Sequence, residues 1–118
     1  MSVQRGQEGE RSAQAFLVSL GYTIVETNWR FKRAEIDLIA IDGDEIVFVE
    51  VKRRANSAYG HPEEYVNHAK ARHLRRAIEG YLAFHAVGKM ARLQPRVDII
   101  AITDSTGDMR HLKAVELP

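Results

Sequence analysis

The stretch "EIDLIAIDGDEIVFVEVKRR", Glu35 to Arg54, decides the fold. Its halves, "EIDLIAI" and "DEIVFVEVK", are aliphatic runs of strand length, and Asp42-Gly43-Asp44 between them is turn chemistry, so the stretch predicts an antiparallel hairpin. Both runs carry charge where a buried strand disfavours it: Asp37 in the first, Glu50 and Lys52 in the second. An unpartnered carboxylate among apolar neighbours costs several kcal/mol in order of magnitude, so these groups are expected to meet partners.

Upstream, Ala13, Phe16, Leu17 and Leu20 fall at helical spacing and Gly21 follows as a stop, which predicts a first helix over about Gln7 to Leu20. "YTIVETNW" (22–29) reads as a strand ahead of the hairpin, giving three consecutive strands in a meander. Downstream, after the polar loop "RRANSAYG", Pro62 opens a long helix with Glu63 and Glu64 in its first turn and a core face of Val66, Ala69, Leu74, Ala77, Ile78, Tyr81 and Leu82. "RVDIIAI" (96–102) and "MRHLKAVEL" (109–117) are the fourth and fifth strands. The order α-β-β-β-α-β-β is an α/β sandwich whose long-helix crossover can set the fourth strand parallel to an earlier one.

The chain has 118 residues and no cysteine, which predicts one domain over 1–118 and excludes disulfides, thiolate metal sites and cysteine nucleophiles. The polar N-terminus and the lack of an apolar run near 18 residues predict neither export nor a membrane span, leaving the cytoplasm as the expected compartment. The formal charge of +1 gives no global attraction to polyanions, but its distribution is uneven. Asp37, Asp42, Asp44, Glu45 and Glu50 form an acidic centre, with "RFKR" (30–33), "KRR" (52–54) and "KARHLRR" (70–76) around it. An acidic centre in a basic surround is compatible with a metal site that meets a phosphate backbone, although charged blocks are as often plain solvated faces.

In a strand alternate residues share a face, so Phe48, Glu50 and Lys52 point one way and Val47, Val49 and Val51 the other. A hairpin centred near Gly43 would bring Asp37 toward Glu50, and two carboxylates converging in a partly dry site take up a proton or a cation. Magnesium suits carboxylate and water ligands, and Lys52 at the same mouth could hold a phosphate oxygen. Glu10 lies three residues before Ala13, at the edge of the first helix's buried face, whereas Glu8 points away. Taken alone, Glu-Val-Lys in a strand is more often an internal ion pair or an edge charge than a catalytic motif.

The combination of Gly9-Glu10 and Ala13, "EIDLIA", "VFVEVKRR", Lys70 and "RVDIIAI" closely resembles the small bacterial YraN-like family, UPF0102, over about residues 5–102. That family is similar to archaeal Holliday-junction resolvases and to the restriction-endonuclease-like PD-(D/E)XK fold, with its α-β-β-β-α-β core and mixed central sheet. The resemblance implies a magnesium- or manganese-dependent endonuclease. Asp37, Glu50, the Val51 carbonyl and Glu10 would hold the metal, and Lys52 would act as the motif lysine beside the catalytic acids Glu10, Asp37 and Glu50. Lys70 would flank the site and Asp98 would be structural. Ala34 stands where the family pattern usually has glycine, and Tyr65 where it has a small residue; neither removes a catalytic group.

The five histidines show no i, i+4 pair, so zinc hydrolysis is not expected, and His68 and His73 fall on the long helix's solvated side. Arg30, Lys32 and Arg33, interleaved with Trp29 and Phe31, are candidates for nucleic-acid contacts, with Trp29 equally readable as a hydrophobic anchor. Arg53 and Arg54, with Tyr59, are a second choice for backbone contacts, which position a nucleic acid without reading its sequence. The expectation is therefore a cytoplasmic nuclease acting on DNA, branched or otherwise structured. The alternative is a nucleic-acid-binding or adaptor module that keeps the fold without turnover. A homodimer would suit a two-fold substrate.

Overall fold

Asp42 pairs with Glu45 across the expected turn, and Gly43 takes the positive φ of 62° that the turn requires. In the computed structural model, which describes residues 2–54 and 68–118, this hairpin is the middle of a five-stranded sheet. The elements are α1 (Ser2–Ser19), β1 (Thr23–Phe31), β2 (Ala34–Asp42), β3 (Glu45–Arg54), α2 (His68–Phe84), a short 3-10 helix (Gly88–Arg92), β4 (Gln94–Thr103) and β5 (Met109–Leu112). Tyr59, Pro62, Glu63, Glu64, Tyr65 and Val66, where the loop and the start of the long helix were expected, lie outside the described residues.

The strands lie in chain order, β1 to β5. Successive pairs are antiparallel except β3 and β4, which run parallel because the connection through α2 returns the chain to the same end of the sheet. This is the mixed α/β architecture and α-β-β-β-α-β order read from the sequence. One sheet face packs Leu38, Ala40, Val47, Val49 and Ile100 against Ala13 and Leu17 of α1. The other packs Ile36, Ile39, Ile46 and Phe48 against Leu74, Ala77 and Tyr81 of α2.

Two close approaches seat the helices. A Cβ on Gly80 would stand 2.8 Å from the Phe31 ring, so glycine lets α2 lie directly on the end of β1. A Cβ on Gly9 would stand 2.6 Å from Arg53 Cδ, so glycine likewise lets α1 lie against the end of β3.

Two strand boundaries differ from expectation. β1 continues through Arg30 and Phe31, leaving Lys32 and Arg33 as the connecting turn, with Lys32 at φ 57°. β5 ends at Leu112, short of the expected 117. The following segment is fastened instead by Val115 N–H donating to the Val97 carbonyl at 2.7 Å and by Arg75 donating to the Leu117 carbonyl at 2.8 Å.

Candidate active site

The β2–β3 ladder runs from Asp42↔Glu45 to Leu38↔Val49 and stops; one step further, Asp37 comes opposite Glu50. β2 also changes phase there, because Ile36 packs on the α2 side whereas Leu38 packs on the α1 side. The β1–β2 ladder leaves the same place open: Thr27↔Leu38 and Trp29↔Ile36 flank Asn28, which has φ 51° and stands across from Asp37. The sheet is thus locally opened around one aspartate, and Asp37 is released from the alternation that would otherwise send its side chain into the α2 core.

Into this opening the Asp37 Oδ2 accepts a hydrogen bond from Val51 N–H at 2.7 Å. Burial first, and then the charge of Glu50, push the Asp37 carboxyl from the ordinary 3.8 up to about 7 against the pull of that hydrogen bond, with Glu10 and Glu35 adding to the rise. One carboxylate oxygen from each of Glu10, Glu35 and Asp37 lies within 4.8 Å of the other two. Two magnesium–oxygen bonds of about 2.1 Å span about 4.2 Å, so a small closure would put all three on one ion. The donor set fits such an ion: all are hard oxygens, and the deepest of them is an aspartate whose charge the protein leaves poorly compensated.

Glu50 is 3% exposed and lies on the α2 side of β3, as its alternation with Phe48 requires. Two ammonium groups converge on its Oε1: Lys70 Nζ from α2 at 2.8 Å and Lys52 Nζ from its own strand at 3.3 Å. Burial opposes the charge on Lys70, but the hydrogen bond to Glu50 and the charge of Glu50 outweigh it and hold the lysine above its ordinary 10.5. Glu50 does not belong to the close triad of carboxylates. It acts on Asp37 from across the opening, and its own oxygen is held by the two lysines.

Glu10 is half-buried beside the acids of β2, while Glu8 is exposed and reaches only as far as Arg53, at 4.0 Å. Glu35, which was not singled out from the sequence, joins the site because it lies two residues before Asp37; that spacing was the signal. Of the cations expected to meet nucleic acid, Arg30 is exposed and 3.6 Å from Glu35. Arg53 holds Asp104 at 2.7 Å, and Arg54 lies 3.4 Å from the Thr103 hydroxyl. Lys32 Nζ stands 5.6 Å from the centre of the Phe31 ring, and Arg33 is exposed in the same turn. Trp29 meets Tyr81 edge-on at 5.2 Å, which is the anchor role.

A second buried charge cluster lies where β4 runs beside β3. Asp98, fully buried, accepts from Arg96 Nε at 2.9 Å, from the Tyr22 hydroxyl at 3.2 Å and from Ala114 N–H at 3.1 Å, and stands 2.7 Å from His111 Nε2. Arg96 extends the cluster to Asp42 at 3.0 Å and Glu45 at 2.8 Å, and also bonds the Tyr22 hydroxyl. Burial alone would raise the Asp98 carboxyl, but Arg96, His111 and the Ala114 N–H together bring it below 3.8. This is the structural role expected for Asp98.

Residues 9–102 match the uncharacterised protein family UPF0102. A UPF0102 protein of Arthrobacter sp. (strain FB24) is 42% identical over 113 residues, covering 93% of each chain. Another, from Chlorobaculum tepidum, is 41% identical over 95% of this chain and 84% of its own. A third, from Thermodesulfovibrio yellowstonii, is 41% identical over 86% of this chain and 88% of its own.

Proposed function

The chain belongs to the UPF0102 family, and from that starting point we propose that it is a divalent-metal-dependent endonuclease that hydrolyses DNA phosphodiester bonds, on branched or otherwise structured DNA. The observation that carries this reading is Asp37, held up to about 7 at an opening in the sheet where Glu10, Glu35 and Glu50 face it. A structural charge would be compensated from within; this one is arranged to be completed by a cation.

Asp37, Glu10 and Glu35 would hold magnesium or manganese, with Glu50 and the Val51 carbonyl as the further ligands that the family resemblance implies. The bound ion supplies Lewis acidity toward the phosphodiester and makes a water acidic enough to attack. The protein's own residues do the rest. Val51 N–H fixes the Asp37 carboxylate, and Lys52 and Lys70 hold Glu50 in its place beside it. Lys52 offers its ammonium to the charge that builds on the phosphoryl oxygens as the water oxygen bonds to phosphorus and the ester P–O bond breaks. A pair of copies would suit a two-fold junction.

The second reading is a nucleic-acid-binding module without turnover, and the Lys70–Glu50 pair at 2.8 Å favours it to the extent that the pair is a permanent internal ion pair. Cleavage of end-labelled duplex, single-stranded, flapped and four-way-junction DNA, with magnesium or manganese, separates the two. The expected result is metal-dependent cutting that falls at least a hundredfold in Lys52→Ala, Glu50→Ala and Asp37→Asn. Folded wild-type protein that cuts none of these DNAs, yet binds them in a salt-dependent way that Glu50→Ala does not alter, would establish the binding module.

A further inference from the structure

Outside the site just described, the β1–β2 turn and α2 enclose a cavity of about 400 Å³. Lys32 and Arg33 line it from the turn and His73 and Arg76 from the helix, with Ala34 between them and no carboxylate in the lining. His73 and Arg76 are three apart and so share a helix face, which turns part of the basic block of α2 toward the cations of the turn. Among the described residues no acid comes within 4.0 Å of the charged groups of Lys32, Arg33 or Arg76. Cations gathered around a cavity without an internal counterion make a seat for an anion.

An aromatic shelf continues from the cavity along α2. One helical turn beyond Arg76, Gly80 receives the Phe31 ring. One further turn along, Phe84 lies against Phe31 with ring centres 6.4 Å apart and planes 28° from parallel, and Phe84 is 70% exposed. Phosphate matches the cavity, and a flat heterocycle with a free face matches the exposed ring. A nucleotide in a duplex already has both base faces stacked, whereas an unpaired nucleotide can offer both groups at once.

We propose that the cavity and shelf form a binding track for single-stranded nucleic acid, a backbone phosphate seated among Lys32, Arg33, His73 and Arg76 and an unpaired base stacked on Phe84. At about 3.4 Å per residue, Ala34 lies about 10 Å along β2 from Asp37. The track therefore delivers a single strand to the candidate active site, and unpaired nucleic acid next to the cleavage point is the substrate feature it recognises. The proposal rests on the nuclease reading only for the use made of the bound strand; binding itself needs no metal.

Trp29 is the chain's one tryptophan, and its ring is nearly parallel to Phe31 at 6.1 Å, so its fluorescence reports on the shelf. The test is a titration in EDTA with oligo-dT and with a duplex hairpin of equal phosphate number. Wild-type protein is expected to bind oligo-dT with a change in tryptophan emission. Phe84→Ala should weaken oligo-dT binding about tenfold and leave duplex binding unchanged, as loss of one stacked base requires. Arg33→Ala with Arg76→Ala should weaken both and lower the slope of log affinity against log salt for oligo-dT by about 1.4, or about 0.7 per lost phosphate contact. Phe84→Leu and Arg76→Gln replace any variant whose far-UV circular dichroism departs from wild type. Unchanged oligo-dT affinity and salt slope in the arginine variant, or equal weakening of both DNAs by Phe84→Ala, would overturn the track. Failure of cleavage with intact binding would remove the nuclease and leave the track standing.

Discussion

Asp37 and Asp98 are both aspartates set in strands of one sheet, and the protein treats them in opposite ways. Asp98 has an arginine, a tyrosine hydroxyl, a histidine and a backbone N–H, and its carboxyl is brought below the ordinary value. Asp37 has one backbone N–H and three acids for neighbours, and its carboxyl is pushed up to about 7. The difference teaches how to tell a structural charge from one intended for a ligand: the first is neutralised by the chain, the second is surrounded by groups that worsen its isolation until something arrives.

The comparison can be broken most forcefully at Arg96. Arg96→Ala leaves Asp98 buried without its main counterion and is expected to destabilise the protein by about 3–5 kcal/mol in urea denaturation. An unchanged midpoint would show that Asp98 does not depend on that compensation. Removing the other aspartate should do the reverse. Without divalent ions at pH 8, Asp37→Asn is expected to stabilise the protein by about 2 kcal/mol, since it deletes a charge that the fold opposes.

The pH profile sharpens this second prediction. Because the folded-state value of Asp37 lies at about 7, above its ordinary 3.8, the folded protein binds the extra proton between those values. The Asp37 contribution to stability is therefore complete below about pH 4, is lost as pH rises through 7, and is absent from Asp37→Asn. Asp98 has the opposite sign, its contribution being lost as pH falls through its depressed folded-state value. Millimolar magnesium should raise the melting temperature of wild type at pH 8 and leave that of Asp37→Asn unmoved. The smallest effect is expected at Tyr22, whose hydroxyl burial and Asp98 push up to about 12, so that it stays a neutral donor. Tyr22→Phe should cost about 1 kcal/mol by thermal denaturation, the worth of one hydrogen bond.

The fold was legible because its signals are local. The hairpin is written in Asp42-Gly43-Asp44, the first helix in Ala13 and Leu17, and the parallel return in the length of the segment between β3 and β4. The facing of Glu50 and Lys52 away from Val49 and Val51 also followed from strand alternation alone. What sequence could not supply was register and phase. Asp37 comes opposite Glu50 only in the observed register, and the resetting of β2 at Asp37 depends on the backbone of Asn28, a residue of another strand. Glu35 was within reach of the same alternation rule but was passed over in favour of the stronger motif acids. Arg96 was hidden more deeply, because Asp42, Glu45 and Tyr22 approach it from 51 to 74 residues away and nothing near it in sequence marks it.

The distorted backbone around Asn28 has a further consequence, for the solubility of the molecule. β1 is an edge strand, and a long regular edge is an invitation for another chain to add itself to the sheet. The register shift between Ile24 and Glu26 and the positive φ of Asn28 interrupt the outward row of donors and acceptors twice in nine residues. At the opposite edge β5 has only four residues. The irregularity that frees one aspartate from the core thus also denies neighbouring molecules a straight template, and a Gly or Val that regularised Asn28 would remove both protections together.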